Sequence, residues 1–211
     1  MTTITIIGSG NMTGAIGGRA AKHGHTVEVM ARNADRAAAV VGQIGNGATV
    51  GEFGGRPAGD IVVLAVPYSG AVDVVRHYGD ALSGKIIVDI TNPFNDTGTG
   101  LAIPHDTSIA QMVAEAAPTS AHVVKAFNTL FRHVLAHGGP VDVFLAGDDA
   151  QAKASVSAFI ESLGLRPRDT GDLSMAHWVE GAGVLTMGLA RNGVGNFNFS
   201  LGINNLDEAS R

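Results

Sequence analysis

A glycine-rich turn near the N-terminus is the first part of the sequence that points to chemistry. It follows a β-branched run, opens a stretch with helical spacing, and consists of Gly8, Ser9, Gly10, Asn11 and Met12. In this context the first glycine permits a tight turn, and the second lets the backbone approach a pyrophosphate at the positive end of a helix. The turn therefore predicts a dinucleotide site, and the alternative is a strand-to-helix turn with no ligand.

One position departs from the usual dinucleotide fingerprint. Thr13 stands where the pattern has Gly or Ala, and Gly14 follows immediately. The third small residue normally permits close packing between helix and strand. We therefore expect a looser contact here, with the phosphate-facing glycines still in place.

Two arginines at the end of the second predicted strand indicate which dinucleotide binds. An NAD site usually has a carboxylate here that accepts hydrogen bonds from the ribose 2′-hydroxyl. This strand instead ends with Arg32, and Arg36 follows one helical turn later. Guanidinium groups suit a 2′-phosphate, at ~1.5–3 kcal/mol for each charge-assisted contact. The pair predicts NADPH over NADH, and the alternative is a solvated surface pair.

A short segment after the central apolar run predicts a third side of the same site. Proline directly after a buried strand ends the hydrogen-bond ladder and turns the chain outward. This turn places four residues near the adenine or the nicotinamide ribose: Ala65, Val66, Pro67 and Tyr68. Tyr68, taken alone, suits a strand terminus with no ligand equally well.

Short β-branched runs alternating with alanine-rich stretches predict the elements that position these residues. Most runs are continuously apolar, as in a parallel sheet covered on both faces. The predicted fold class is α/β, with a Rossmann-type, doubly wound, mostly parallel sheet and a small C-terminal helical unit. The predicted strands are Ile4–Ile7, Thr26–Met30, Ile61–Val66, Ile86–Asp89, Val123–Lys125, Val141–Ala146 and Arg166–Asp169. The predicted helices are Asn11–His23, Ala34–Ile44, Gly70–Tyr78, Ile109–Ala116 and Ala150–Leu163.

The chain is predicted to divide into two parts. Residues 1–171 form the NADP-binding domain, and residues 172–211 form a small unit that closes the substrate cleft or forms a dimer interface. The long loop Thr91–Asp106 follows a buried strand. Loops at the carboxyl ends of parallel strands form the ligand crevice, so this loop is expected to border the site.

Composition excludes several classes of function. A net charge of -5 argues against nucleic acid, which requires a basic footprint. The absence of cysteine excludes disulfides, thiolate metal sites and cysteine nucleophiles. The longest apolar stretch, Ile61–Val66, is far short of the ~20 residues that a membrane helix needs. The sequence starts directly with a strand and has no leader pattern, so we expect a cytoplasmic protein.

Taken together, these motifs resemble the NADP oxidoreductases that depend on the deazaflavin coenzyme F420, and the related domain of membrane ferric reductases. The resemblance covers nearly the whole chain. Its most specific parts are the segment KAFNT, the segment that begins GLRP, and the tail ARNGVGNFNFSLGI. It includes GSGNM, Arg32 with Arg36, AVPY, DITNP (Asp89–Pro93), KAFNT (Lys125–Thr129), GLRPRDTGDL (Gly164–Leu173) and ARNGVGNFNFSLGI.

The resemblance implies a second substrate and a place for it. In the family, the deazaflavin lies against the nicotinamide, between the Rossmann domain and the C-terminal part. Ser9 is then expected beside the 2′-phosphate, and a homodimer is expected. The segment Asn95–Ile103 matches the family least well, which leaves open whether a flavin replaces the deazaflavin. The residues implied to border the nicotinamide and its redox partner are Asn92, Pro93, Ala126 and Asn128.

Hydride transfer between two such rings requires no catalytic side chain, because the cofactors carry the chemistry and the protein positions them. Lys125 has the residue type of the catalytic lysine in β-hydroxyacid dehydrogenases, but its place at a strand end favours a structural or phosphate-orienting role. His133 and His137 have helical spacing for a metal, yet no third ligand is evident, so no metal is expected.

Three alternatives remain open at this point. One is reduction of a flavin, or of ferric chelates through a diffusible flavin. Another is a protein that senses NADPH without turnover. The last is a ketone or imine reductase, whose proton donor would be Lys125, Tyr68 or His105.

Overall fold

The computed structural model describes residues 1–205 as one eight-stranded sheet with helices on both faces. The strands are β1 (Thr3–Ile7), β2 (Thr26–Met30), β3 (Thr49–Gly51), β4 (Ile61–Leu64), β5 (Ile86–Asp89), β6 (His122–Lys125), β7 (Asp142–Gly147) and β8 (Arg166–Asp169). The helices are α1 (Asn11–Lys22), α2 (Ala34–Ile44), α3 (Tyr68–Tyr78), α4 (Ile109–Ala116), α5 (Arg132–His137), α6 (Ala150–Ser162) and α7 (Ala176–Arg191). Short 3-10 turns lie at Gly79–Leu82, Leu173–Met175 and Gly195–Phe197.

The strand order is β3-β2-β1-β4-β5-β6-β7-β8. All neighbouring strands are parallel except β6 and β7, which pair antiparallel. The order reverses between β1 and β4, which is where an open α/β sheet forms a ligand crevice. The predicted Rossmann-type, mostly parallel sheet is confirmed.

Two apolar layers cover the sheet. One combines side chains of α1, α2, α5 and α6, and the other combines those of α3, α4 and the start of α7. Burial on both faces explains why β4 is apolar at every position. Within residues 1–205, no helix has the length and apolar character needed to cross a membrane.

The structure corrects the sequence prediction at four points. Strand β4 ends at Leu64, two residues earlier than predicted, and α3 begins at Tyr68 rather than Gly70. The edge strand β3 was missed because it has three residues that are mostly exposed. Helix α5 was missed because six residues are too few to show a helical period.

Candidate functional site

The glycine turn lies against the end of β4, and Gly8 makes that contact possible. Its φ is 132°, a conformation open to glycine, and a Cβ here would lie 2.1 Å from the Ala65 carbonyl oxygen. The Gly8 amide donates to the Met30 carbonyl oxygen at 2.8 Å, which joins the turn to β2. Any side chain at this position would push β1 and β4 apart.

The N-terminus of α1 is open at Gly10. Among the described residues, no side chain caps this helix, and none has an atom within 4 Å of where a Cβ at Gly10 would lie. The first amide groups of α1 therefore have room for an external acceptor, and the helix dipole favours an anion there. This arrangement fits a pyrophosphate.

A cleft of about 350 Å³ lies beside this turn, where the carboxyl ends of β1, β2 and β4 meet. We call it the adenosine cleft. It brings together eight of the predicted site residues, and its lining comprises Gly8, Ser9, Gly10, Ala31, Arg32, Asn33, Arg36, Phe53, Ala65, Val66, Pro67 and Val74.

The two arginines of the adenosine cleft are exposed, and within residues 1–205 neither forms an ion pair. Asn33 caps α2 by accepting the Arg36 amide at 2.9 Å, which fixes the first turn that carries Arg36. Glu28 lies earlier on β2, where Thr5 and the Ala58 amide bind its carboxylate. The cleft therefore offers two free guanidinium groups to a 2′-phosphate.

Phe53 and Val74 also line the adenosine cleft, and sequence reasoning missed both. The Phe53 ring stacks on His77 with centroids 5.1 Å apart and an interplanar angle of 16°. Phe53 thus forms a flat apolar wall that suits an adenine ring. The only sequence signal was an isolated aromatic residue in a glycine-rich loop.

Two predicted cofactor residues direct their side chains elsewhere. Met12 packs into the core beneath α1, and its amide remains in the first helical turn. Tyr68 packs on the layer formed by α3 and α4.

The close packing of α1 occurs at Gly17 rather than Thr13, since a Cβ at Gly17 would lie 2.6 Å from Ile44 Cδ1.

At the ends of β5 and β6, the two predicted asparagines bind each other. Asn92 Nδ2 donates to the Asn128 carbonyl oxygen at 2.7 Å, and Asn128 Nδ2 donates to Asn92 Oδ1 at 2.9 Å and to the Val179 carbonyl oxygen at 2.9 Å. These acceptors fix both amide orientations. Asn128 Oδ1 remains buried without a hydrogen-bond partner among the described residues.

The backbone that presents Asn128 is strained. Phe127 has φ 61° and is fully buried, a rare conformation for a bulky residue. Such strain is typical of ligand sites, where the surrounding structure holds the chain in place. Pro93 and Ala126, also predicted at this site, are buried next to the two asparagines in the chain.

One layer below the asparagines lies a charged group that we call the buried triad, formed by Asp89, Lys125 and Glu180. Lys125 Nζ donates to both carboxylates at 2.8 Å and to the Thr91 carbonyl oxygen at 2.5 Å. All three side chains have zero exposure. Burial raises the pKa of the Glu180 carboxyl, and the Lys125 ammonium offsets part of that rise.

Of the two roles expected for Lys125, structural or phosphate-orienting, the triad supports the structural one. The three ammonium protons already have three acceptors, and no surface of the side chain reaches the site. Its structural role is instead to join β5, β6 and α7. The α4 amides of Ile109 and Ala110 add two longer contacts to Glu180.

The segment after Pro93, which sequence reasoning left unassigned, is a small hairpin (residues 94–102). Phe94 and Leu101 form an antiparallel bridge, and the Ala102 amide donates to the Pro93 carbonyl oxygen at 2.7 Å. Arg191, at the end of α7, donates to the Thr97 carbonyl oxygen. The hairpin is therefore attached to the same helix that carries Glu180.

Three ring side chains of the C-terminal part contact other parts of the protein. His177 Nδ1 lies 2.8 Å from the Thr107 carbonyl oxygen. Phe197 and Phe199 pack edge-on against Phe131, with centroids 5.4 and 5.6 Å away. Within residues 1–205, no three metal-ligating side chains come together.

A glycine turn, an uncapped helix and a cationic cleft at the point of strand reversal define a Rossmann-type dinucleotide-binding protein. Residues 3–93 match the family described as NADP oxidoreductase, coenzyme F420-dependent. This match confirms, over the dinucleotide-binding part, the resemblance seen in the sequence.

Two curated relatives agree with this assignment. The F420-dependent NADP reductase of Methanocaldococcus jannaschii is 33% identical over 139 residues, which is 62% of each chain. The metalloreductase STEAP3 of Rattus norvegicus is 31% identical over 181 residues, 84% of this chain and 35% of that protein. The chain thus spans less than two thirds of the length of either relative.

Solved structures share the fold over a greater length. A protein from an Arthrobacter species, provisionally described as an F420-dependent NADP reductase, has a TM-score of 0.85 at 25% identity and covers 97% of this chain and 100% of its own. An imine reductase from Aspergillus terreus has a TM-score of 0.68 at 20% identity, with 92% of this chain and 63% of that chain covered. The second likeness concerns the fold alone.

Proposed function

We propose that this protein is an NADP-dependent oxidoreductase that transfers hydride between NADP(H) and the deazaflavin coenzyme F420. In the reducing direction, the nicotinamide gives a hydride to the deazaflavin ring and a proton from water completes the two-electron reduction. The observation that carries the proposal is the adenosine cleft, in which two guanidinium groups without an ion-pair partner in residues 1–205 lie beside an open helix N-terminus. The family match supplies the second substrate.

The adenosine cleft provides most of the binding energy in this proposal. Arg32 and Arg36 bind the 2′-phosphate, with Ser9 beside them, and the amides at Gly10 to Met12 bind the pyrophosphate. Phe53 covers the adenine. Charge-assisted contacts of this kind contribute ~1.5–3 kcal/mol each, so the arginine pair favours NADPH over NADH by on the order of 100-fold.

The asparagine pair orients the nicotinamide. Asn128 Oδ1 is a buried acceptor without a partner in the described chain, and an amide N–H of the nicotinamide carboxamide supplies one. Asn92 holds Asn128 in this rotamer through the reciprocal hydrogen bond. Pro93 and Ala126 border the ring on its protein side.

The proposed reaction depends on position rather than on an acid or base. The ammonium of Lys125 donates to three protein acceptors and is sealed from the site, so it does not serve as a proton donor. Stacking of two planar rings at contact distance, with water excluded, is sufficient for hydride transfer.

We also propose a role for the C-terminal part, a homodimer and a location in the cell. Residues 172–211 are proposed to close the cleft or form a homodimer interface, although 206–211 lie outside the described residues. Trp178 and Leu185 on α7 are 67% and 57% exposed, which supplies an apolar face for a second copy. A cytoplasmic location is proposed as well. A monomeric elution profile at micromolar concentration would contradict the dimer.

Flavin-dependent reduction is the second candidate function. The match to the rat metalloreductase covers 84% of this chain, which favours a flavin as the hydride acceptor, with ferric chelates reduced in turn by that flavin. This candidate uses the same cofactor site and differs only in the planar acceptor beside the nicotinamide.

Stopped-flow mixing of the protein with NADPH and oxidised coenzyme F420 tests the proposal. We expect rapid bleaching of the deazaflavin absorbance with NADPH and much slower bleaching with NADH. Parallel reactions with FMN test the second candidate. Tight NADPH binding without turnover of either acceptor would contradict both functions and favour an NADPH sensor.

A further inference from the structure

A basic groove runs along α1 on the outer side of one helical layer. Helix α1 lies between α2 and α5, and residues of all three line a volume of about 710 Å³. Ser9 and Gly10 line both this groove and the adenosine cleft. The groove is therefore continuous with the proposed cofactor site.

The charge of the groove is opposite to that of the whole chain. Its polar lining includes Lys22, Arg36, Arg132 and His137, and none of the described residues that line it is acidic. Lys22 and Arg132 are exposed, and neither forms an ion pair within residues 1–205. The chain as a whole has a net charge of -5. This local concentration of positive charge attracts an anionic ligand.

Arg19 stabilises the groove from beneath. Its guanidinium donates to the carbonyl oxygens of Leu163, Leu135 and Gly138 at 2.8 to 3.1 Å. These bonds hold α1 against α5 and the end of α6. The cations left for a ligand are the exposed ones.

The phosphates of NADP(H) account for Arg36 but not for Lys22, Arg132 and His137. Its 2′-phosphate is assigned to Arg32 and Arg36, and its pyrophosphate to the turn at Gly10. Lys22 lies eleven residues after Asn11, which places it ~16 Å further along the helix axis. A single phosphate cannot reach both ends of the groove, whereas an extended chain of anionic groups can.

We propose that the groove binds the anionic side chain of the redox co-substrate. Arg132 begins α5 four residues after Asn128, which borders the proposed nicotinamide site, and it also lines the groove. The acceptor class is then a flavin or deazaflavin whose ring substituent carries a phosphate near Arg132, with further anionic groups extending toward Lys22. This inference rests on the proposed function.

Riboflavin and FMN differ by one phosphate, so their comparison isolates the contact. NADPH oxidation is measured with each acceptor for the native protein, Arg132→Ala, Arg132→Lys and Lys22→Ala. We expect Arg132→Ala to raise KM for FMN ~10-fold and to leave riboflavin unchanged. Arg132→Lys should retain most of the preference. Lys22→Ala should raise KM for coenzyme F420, whose anionic chain is longer, but not for FMN.

Arg76→Ala is the matched control, since Arg76 is an exposed arginine on α3, on the opposite face of the sheet. This variant should change KM neither for FMN nor for riboflavin. Equal effects of Arg132→Ala on FMN and riboflavin would overturn the proposal. A loss of NADPH affinity in this variant would also overturn it, because Arg132 would then bind the pyrophosphate.

Direct binding separates this proposal from the proposed function. Quenching of flavin fluorescence measures FMN and riboflavin affinity for the protein loaded with NADP⁺. A preference for FMN that Arg132→Ala abolishes supports the groove even where no acceptor is reduced. Turnover without such a preference would retain the oxidoreductase and reject the groove.

Discussion

The two ends of the dinucleotide site satisfy their polar groups in opposite ways. In the adenosine cleft, Arg32 and Arg36 are exposed and form no ion pair within residues 1–205. At the other end, Lys125 and its two carboxylate partners have no exposed surface and bind one another. In the proposed function the first end obtains its counter-charge from the bound cofactor, whereas the second obtains it from the protein.

This difference assigns separate tasks to the two ends. Exposed cations select a ligand by its charge and contribute little to folding. A buried charged group contributes to folding only while all its members are present, because a lone buried charge is costly. Substitutions at the open end should therefore change affinity, and substitutions at the closed end should change stability.

The largest expected effect is at the closed end. Lys125→Met leaves Asp89 and Glu180 buried without their shared cation, and we expect a loss of ~3–5 kcal/mol in the free energy of unfolding. Urea titration measures the change. Because burial already favours protonated Glu180, adding Glu180→Gln should recover part of the loss.

Lys85→Met is the matched control for this substitution. The Lys85 side chain is only 7% exposed, but its partner Asp60 is 90% exposed and stays hydrated when the lysine is lost. The control should cost far less stability. Equal losses of stability for Lys125→Met and Lys85→Met would contradict the distinction between the two ends of the site.

An intermediate effect is expected at the open end. Arg32→Ala combined with Arg36→Ala should weaken NADPH binding by on the order of 100-fold and NADH binding only slightly, since NADH lacks the 2′-phosphate. Isothermal titration measures both affinities, and the unfolding midpoint should stay unchanged. Equal losses for NADPH and NADH would refute the assignment of the 2′-phosphate to this pair.

The smallest expected effect is on stability and NADPH affinity together. Asn33→Ala removes the cap of α2, which costs ~1 kcal/mol of stability and frays the turn that carries Arg36. NADPH affinity should fall a few-fold with it. Asp149→Ala removes the cap of α6, far along the chain from the cleft, and should cost similar stability with no loss of affinity. A similar loss of NADPH affinity in both variants would contradict a specific connection between the α2 cap and cofactor binding.

The open end of the site could be predicted from sequence because its residues are local. The glycine turn, Arg32 and Arg36 all lie within the first βαβ unit, where spacing alone places them together. Phe53 could not be predicted, because a single aromatic residue in a glycine-rich loop has no period. Its role depends on the stacking of His77 behind it.

The closed end could not be predicted for the opposite reason. Glu180 and Lys125 are 55 residues apart in the chain and meet only after α7 packs on the sheet. An apolar run such as β7 also carries no sign of its direction, so the antiparallel pairing with β6 was not foreseen. The sequence predicted every strand except the short edge strand β3 and left the long-range polar contacts undetermined.

The attachment of the 94–102 hairpin has a consequence for how this fold diversifies. Both ends of the hairpin are joined at its base, through Phe94 and Leu101, and its tip contacts the far end of α7. Residues can therefore be inserted or deleted at the tip without displacing the sheet, at a small cost in loop entropy. The length of this segment can therefore vary between related chains while the sheet and the buried triad stay unchanged.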